Sequence, residues 1–304
     1  MERTDQTVQQ PGVRSAEEES RVLGRSRKVF QRLPLNLVVI AITILWSIPT
    51  IGLLISSFRP ARDIAASGWW TVFTPPTTLT FELYRDALTR AGMAQSFMNS
   101  LFISIPATII PIMIAAFAAY AFAWMKFPFR NVLFVAVIGL LVIPLQMTFI
   151  PVLRMYNALR WTGEFHAIWL AHAGYGLPFS IYLLRNFIGA LPRDLFESAF
   201  LDGASNYDVF FRIVMPLSVP SLASLVIFQF MWVWNDLLVA LIYLGGTPAV
   251  APMTVVIANL VNSLGGNWQV LTAAAFISML LPLFVFFALQ RYFVRGILAG
   301  SVKG

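Results

Sequence analysis

Five stretches of this chain, 35–58, 97–125, 132–153, 219–244 and 272–290, are each apolar over about twenty residues. An α-helix needs roughly 20 apolar residues to cross about 30 Å of hydrocarbon. A sixth stretch, 168–187, is shorter and is interrupted by Gly174, Gly176 and Pro178. Such interruptions suit a helix broken beside a pathway, where water or protein satisfies irregular backbone, or a helix kinked for packing. The composition agrees, with 12% charged residues and a mean hydropathy of +0.75, where a soluble domain carries roughly 25% charged residues. The expectation is an all-α polytopic membrane protein with about six transmembrane helices.

Orientation follows from the Lys and Arg residues, which favour the cytoplasmic side. With the N-terminus inside, the inner segments 1–33, 126–131, 185–218 and 291–304 hold 15 of the 21 basic residues. The outer segments 58–96, 154–167 and 245–271 hold the other 6. Both termini are therefore expected inside. The domain division that follows has four parts. Residues 1–33 form a polar cytoplasmic tail without an apolar core, expected to be disordered. Residues 34–96 are the first span and an outer segment, 97–290 the membrane core with a cytoplasmic loop at 188–218, and 291–304 a cytoplasmic C-terminal tail. No small-residue cleavage pattern follows the first span, so a removable signal peptide is not expected.

Several function classes fall away. The net charge of +7 sits at the ends of apolar runs rather than on a basic stripe interleaved with aromatics, which argues against nucleic acid as a partner. The chain has no cysteine, excluding disulfides and thiolate chemistry. It has no Gly-x-x-x-x-Gly-Lys-Ser/Thr phosphate loop. No His, Asp and Glu constellation marks a metal site, and neither a cofactor nor a metal is expected. His166 and His172 read as packing or interfacial hydrogen-bonding residues.

The most informative segment is the cytoplasmic loop from Leu191 to Pro216. Pro192 suits a helix start, and Asp194 and Glu197 fall near its first turn, where the dipole favours anions. Gly203 stands where a left-handed residue would end that helix. Ser205 followed by Asp208 has the spacing of a capping box, with Asp in place of Glu, and opens a second helix. The local reading is helix, sharp turn, helix: a rigid knob offered to something in the cytoplasm.

This segment resembles the signature of the membrane subunits of bacterial ABC importers, which reads Glu-Ala-Ala, three residues, Gly, nine residues, Ile, one residue, Leu-Pro. Here Glu197, Ser198, Ala199, Gly203, Ile213, Met215 and Pro216 stand at those spacings, with Asp202 before the glycine. The departures are Ser198 for Ala and Met215 for Leu. Trp234-Asn235-Asp236 in the fifth span, the closing 290–296 stretch and Gly300-Ser-Val-Lys303-Gly304 extend the resemblance to the carbohydrate-uptake branch and its maltose-type second permease. It covers residues 35–304. The resemblance implies a type I ABC importer permease fold. It also implies a heterodimer with a second permease chain, two cytoplasmic ATPase subunits and an extracytoplasmic solute-binding protein, in the cell membrane. ATP hydrolysis would then belong to the partners, the 192–216 loop would couple to the ATPase, and Gly300 and Lys303 in the tail would touch it.

Asp236 is the one carboxylate inside an expected span. Such a group costs about 2.5–3.5 kcal/mol at the bilayer centre and should face protein or water. With Asn235 it is either a lining or gate of the pathway or an interhelical hydrogen-bonding pair. Asn99 and Gln146 pose the same choice more weakly. An ion-coupled secondary transporter is the alternative function, but it needs intramembrane ionisable groups and inverted repeats, and this chain offers a lone Asp236. A membrane enzyme should show a polar cluster at one face, and none is visible.

Overall fold

The computed structural model describes residues 11–74, 78–260 and 268–301. All regular elements among the described residues are helical: α1 (Pro11–Ser57), α2 (Ala61–Ala66), α3 (Glu82–Thr89), α4 (Met93–Trp124), α5 (Arg130–Gly139), α6 (Leu145–Leu159), α7 (Phe165–Gly189), α8 (Arg193–Leu201), α9 (Asn206–Val209), α10 (Met215–Leu217), α11 (Val219–Trp234), α12 (Leu238–Leu244), α13 (Met253–Leu260) and α14 (Trp268–Ser301). Four stretches, 33–57, 93–124, 165–189 and 268–291, are single helices long and apolar enough to span a bilayer; with each of two bent pairs counted as one span, the total among the described residues is six.

The bends depart from the straight spans expected at 132–153 and 219–244. In the third span, α5 and α6 meet at 99°. Pro144 has no N–H to give a helix and pushes Ile143 into the extended conformation (ψ 117°), so the apolar run turns sharply there. Just before the fifth, the segment 206–217 meets α11 at 72°; within the fifth, the helix stops at Trp234 and restarts as α12. The fourth span corrects the sequence in the other direction. Despite Gly174, Gly176 and Pro178, α7 is one continuous helix. Gly176 serves close packing: a Cβ there would lie 2.5 Å from Oε1 of Gln229 on α11.

Among the described residues, helix α1 covers Pro11–Ser57 in one piece with the first span. At the other end, α14 runs through Gly300 to Ser301, while Lys303 lies outside the described residues. Apolar side chains of α1 such as Trp46 and Leu45 are exposed, the pattern of a helix solvated by lipid. The centre is the packed set of α4, α7, α11 and α14. One buried cluster (Ile103, Ile168, Val233, Tyr243) lies toward the outer side. A second (Tyr120, Ile188, Phe196, Val209, Leu225) lies toward the inner side.

The outer segment after α1 is tied down. Arg59 is 4% exposed and donates to the carbonyls of Ser67 and Asp63 and to the hydroxyls of Ser67 and Thr71. Ser57 and Tyr84 share a hydrogen bond of 2.8 Å.

Candidate functional site

The loop between α7 and α11 folds as a fixed projection. Its first helix, α8, starts at Pro192 and carries Asp194 in its first turn. Its end is a Schellman motif: the Gly203 N–H donates to the Phe200 carbonyl (3.1 Å) and the Ala204 N–H to the Ala199 carbonyl (3.0 Å). Gly203 has φ +82°, the left-handed region that a residue with a Cβ enters at a cost.

The next helix opens with the capping box. Asp208 N–H donates to Ser205 Oγ, and the Ser205 N–H and hydroxyl both donate to Asp208 Oδ2, the hydroxyl at 2.6 Å. Arg212 Nη2 stands 3.5 Å from Asp208 Oδ1. The Ser205 hydroxyl, its amide and the Arg212 charge hold the Asp208 carboxyl below the ordinary aspartate range. One π turn, Phe210–Val214, then leads into α10.

Three contacts seat this projection on the inner end of α4. Phe196 stacks on Trp124, with ring centroids 3.7 Å apart, and the Trp124 indole donates to the Ile188 carbonyl. Phe210 stacks on Phe117 at 4.6 Å. Tyr120 donates to Asn206 Oδ1 at 3.0 Å. The other face points outward: Glu197, Ser198, Asp202, Gly203 and Pro216 are exposed, Ala199 and Ile213 half-buried. Leu201 is 87% and Tyr207 70% exposed. Two large apolar side chains bared beside a capped turn suit a protein partner. The aromatic seat under the knob carries no motif, because its partners lie between 72 and 93 positions apart; only the apolar positions of α8 hint at it.

The second candidate region lies at the break in the fifth span. Asp236 is at the break, not inside a helix as the sequence suggested. Its carboxylate accepts the N–H groups of Val239 (3.3 Å) and Ala240 (3.0 Å), capping α12. Its own carbonyl accepts the Thr254 hydroxyl at 2.6 Å. His172 Nε2, fully buried, stands 3.7 Å from Asp236 Oδ2, with the imidazole edge-on to Trp232. The structure thus joins Asp236 to one of the two histidines, a pairing that no sequence spacing revealed. Asn235 is exposed at the break, with its amide donating to the Met231 carbonyl at 2.7 Å. Asn99 ties α4 to the outer segment through the carbonyls of Ala249 and Ala251, whereas Gln146 is exposed.

The chain has relatives among known proteins. The chain is 58% identical to the osmoprotective compounds uptake permease protein GgtD of Synechocystis, over 92% of this chain and 95% of that one. It is 41% identical to the alpha-glucoside transport system permease protein AglG of Rhizobium meliloti, over 88% and 96%. Among solved structures, a chain of a bacterial ABC transporter that imports the acidic polysaccharide alginate superposes with a TM-score of 0.71 at 20% identity, over 88% of this chain and 98% of that one. That likeness is one of fold. The family model of the binding-protein-dependent transport system inner membrane component matches residues 98–299, which take in the knob, its aromatic seat and the broken fifth span. The chain belongs to that family.

Proposed function

We propose that this chain is one of two permease subunits of an ATP-driven importer for a carbohydrate or a related hydroxyl-rich solute. The observation that carries the reading is the knob at 193–216, a Schellman turn and a capping box seated on three aromatic residues of α4. A segment whose only task was to connect two spans would need no such fixed shape. A partner ATPase that closes around a rigid knob would move the permease halves as bodies. Glu197, Ser198, Ala199, Asp202, Gly203, Ile213 and Pro216 form or support the coupling surface. The end of the chain, with Gly300 and Lys303, is offered to the same ATPase. ATP hydrolysis belongs to that partner, and this chain supplies half of the pathway.

The solute class rests on the names of the relatives, one for alpha-glucosides and one for osmoprotective compounds. At the break, the exposed Asn235 side chain, whose amide donates to the Met231 carbonyl, presents its oxygen to a passing hydroxyl, and the Asp236 carboxylate shapes the break through its cap on α12. The test is purification of the complex with its second permease, ATPase and binding protein in lipid vesicles. ATP hydrolysis and uptake are then measured against a panel of neutral sugars, polyol glycosides and amino acids. Stimulation by a neutral glycoside supports the reading. Uptake that survives vanadate and fails with an uncoupler would replace it with ion-coupled transport.

A further inference from the structure

Proline cannot donate the backbone hydrogen bond that its place in a helix calls for, so each one frees the carbonyl four residues before it. In hydrocarbon no water replaces that donor, and a neighbouring helix must do so. Helix α4 contains Pro106 and Pro111, and α14 contains Pro282. The freed carbonyls belong to Phe102, Ala107 and Ser278, and each receives a side-chain N–H from another helix. Trp169 of α7 donates to Phe102 O at 2.8 Å. Gln229 of α11 donates to Ala107 O at 3.2 Å. Trp234 of α11 donates to Ser278 O at 3.0 Å.

The pattern is selective. Pro49, Pro151 and Pro178 free the carbonyls of Leu45, Met147 and Gly174, on exposed residues. None of these meets a side-chain donor from another element among the described residues. The three paired carbonyls lie on α4 and α14, and their donors come from α7 and α11. Gln229 does more than fill one gap: its amide also approaches the His172 carbonyl at 3.4 Å, and Gly176 leaves the space in which it sits.

The geometry points to Trp169, Gln229 and Trp234 as positioning residues that use proline-freed carbonyls to bind α4, α7, α11 and α14 into one body. The knob rests on the inner end of α4, and the break at 235–237 hangs from the outer end of α11. The Gln229 bond holds these two helices in register, so a displacement of the knob reaches the break without slippage between them. The assignment goes beyond the importer reading and is tested without a transported solute.

The chain is free of cysteine, so spin labels can be placed at Met113→Cys on α4 and Val219→Cys on α11, both outward-facing. Pulsed electron resonance then gives the distance distribution in lipid vesicles. It is measured for the permease pair alone and for the assembled complex, nucleotide-free or trapped with ADP and vanadate. Wild type should show one narrow distribution that does not shift between states. Gln229→Met, which keeps the bulk and removes the donor, should broaden and shift it.

Pro111→Ala is the sharper variant. It supplies Ala107 with a donor from its own helix, so membrane abundance should hold while the tie to Gln229 weakens and the distribution broadens. The double variant should be no broader than either single one, because both remove one bond. Pro178→Ala, whose freed carbonyl has no such donor, should leave the distribution unchanged. A wild-type distribution in Pro111→Ala, or additive broadening in the double variant, overturns the proposal. Failure of the ATPase to assemble would count against the importer reading alone, since the permease pair still reports the tie.

Discussion

Replacing Gly203 tests the knob at its most demanding point. The residue has φ +82°, and a Cβ built on it meets nothing within 4 Å. A side chain therefore costs no collision, and the whole penalty is the left-handed backbone, about 1–2 kcal/mol for an ordinary L-residue and more for a β-branched one. Asn tolerates this region better than other residues with a Cβ. The flanks stay anchored by Phe196 on Trp124 and by Asn206 on Tyr120, so the strain falls on the turn itself. At about 1.4 kcal/mol per tenfold, Gly203→Ala should lower the affinity for the ATPase roughly five- to thirtyfold. Gly203→Asn should lower it less and Gly203→Val more. The assay is ATPase copurification and solute uptake at matched membrane abundance, with insertion of the spans unchanged. Wild-type uptake with Gly203→Val, or a series that follows side-chain size with Asn worse than Ala, would refute the reasoning.

Four further outcomes are expected. Trp124→Ala removes the stack under Phe196; Trp124 is half-buried, so the cost falls below the about 3–5 kcal/mol of a fully buried aromatic, and ATPase copurification should drop sharply, while Trp124→Phe should retain much of it. Glu197→Lys reverses an exposed charge on the proposed docking surface and should weaken ATPase binding with little change in thermal stability. Asp236→Leu removes the cap on α12, worth about 1–2 kcal/mol, and should lower uptake, whereas Asp236→Asn keeps an oxygen for the cap and should retain most of it; equal loss in both would place the role in the charge. Because the folded Asp208 carboxyl is held below its unfolded value, its contribution is complete above the ordinary aspartate range and is lost as pH falls through the folded value. Amide exchange at residues 206–209 should therefore speed up in acid beyond the intrinsic rate, and Asp208→Ala should exchange fast at neutral pH.

The number of spans, their polarity and the turn chemistry of the knob were legible because each depends on local residues. A window of twenty apolar side chains, a glycine after a helix, and Ser with Asp three positions on all act within a turn or two. Direction was not legible. Hydropathy counts residues and is blind to the bend that Pro144 imposes inside a run that is apolar throughout. Gly174, Gly176 and Pro178 look like breakers, yet α7 is continuous, and Gly176 serves to make room for Gln229, a partner 53 positions away. The seat of the knob was hidden for the same reason: Trp124 and Phe196 meet only after α4 and α7 have packed side by side. Asp236 stood out in the sequence as an oddity, but its work as a cap and its approach to His172 require the fold.

The π turn at Phe210–Val214 sets the rotation of the knob about the 206–217 segment, which itself meets α11 at 72°. It holds one residue more than an α-helical turn would, and each residue advances a helix by about 100°. Removing any one residue between 210 and 214 would draw the turn back to α geometry and put the 206–209 helix about that angle out of phase with α10, against the anchors that hold Phe196 and Asn206. The nine residues between Gly203 and Ile213 thus act as an azimuth rather than a length. A single-residue deletion there should abolish ATPase capture while the spans still insert.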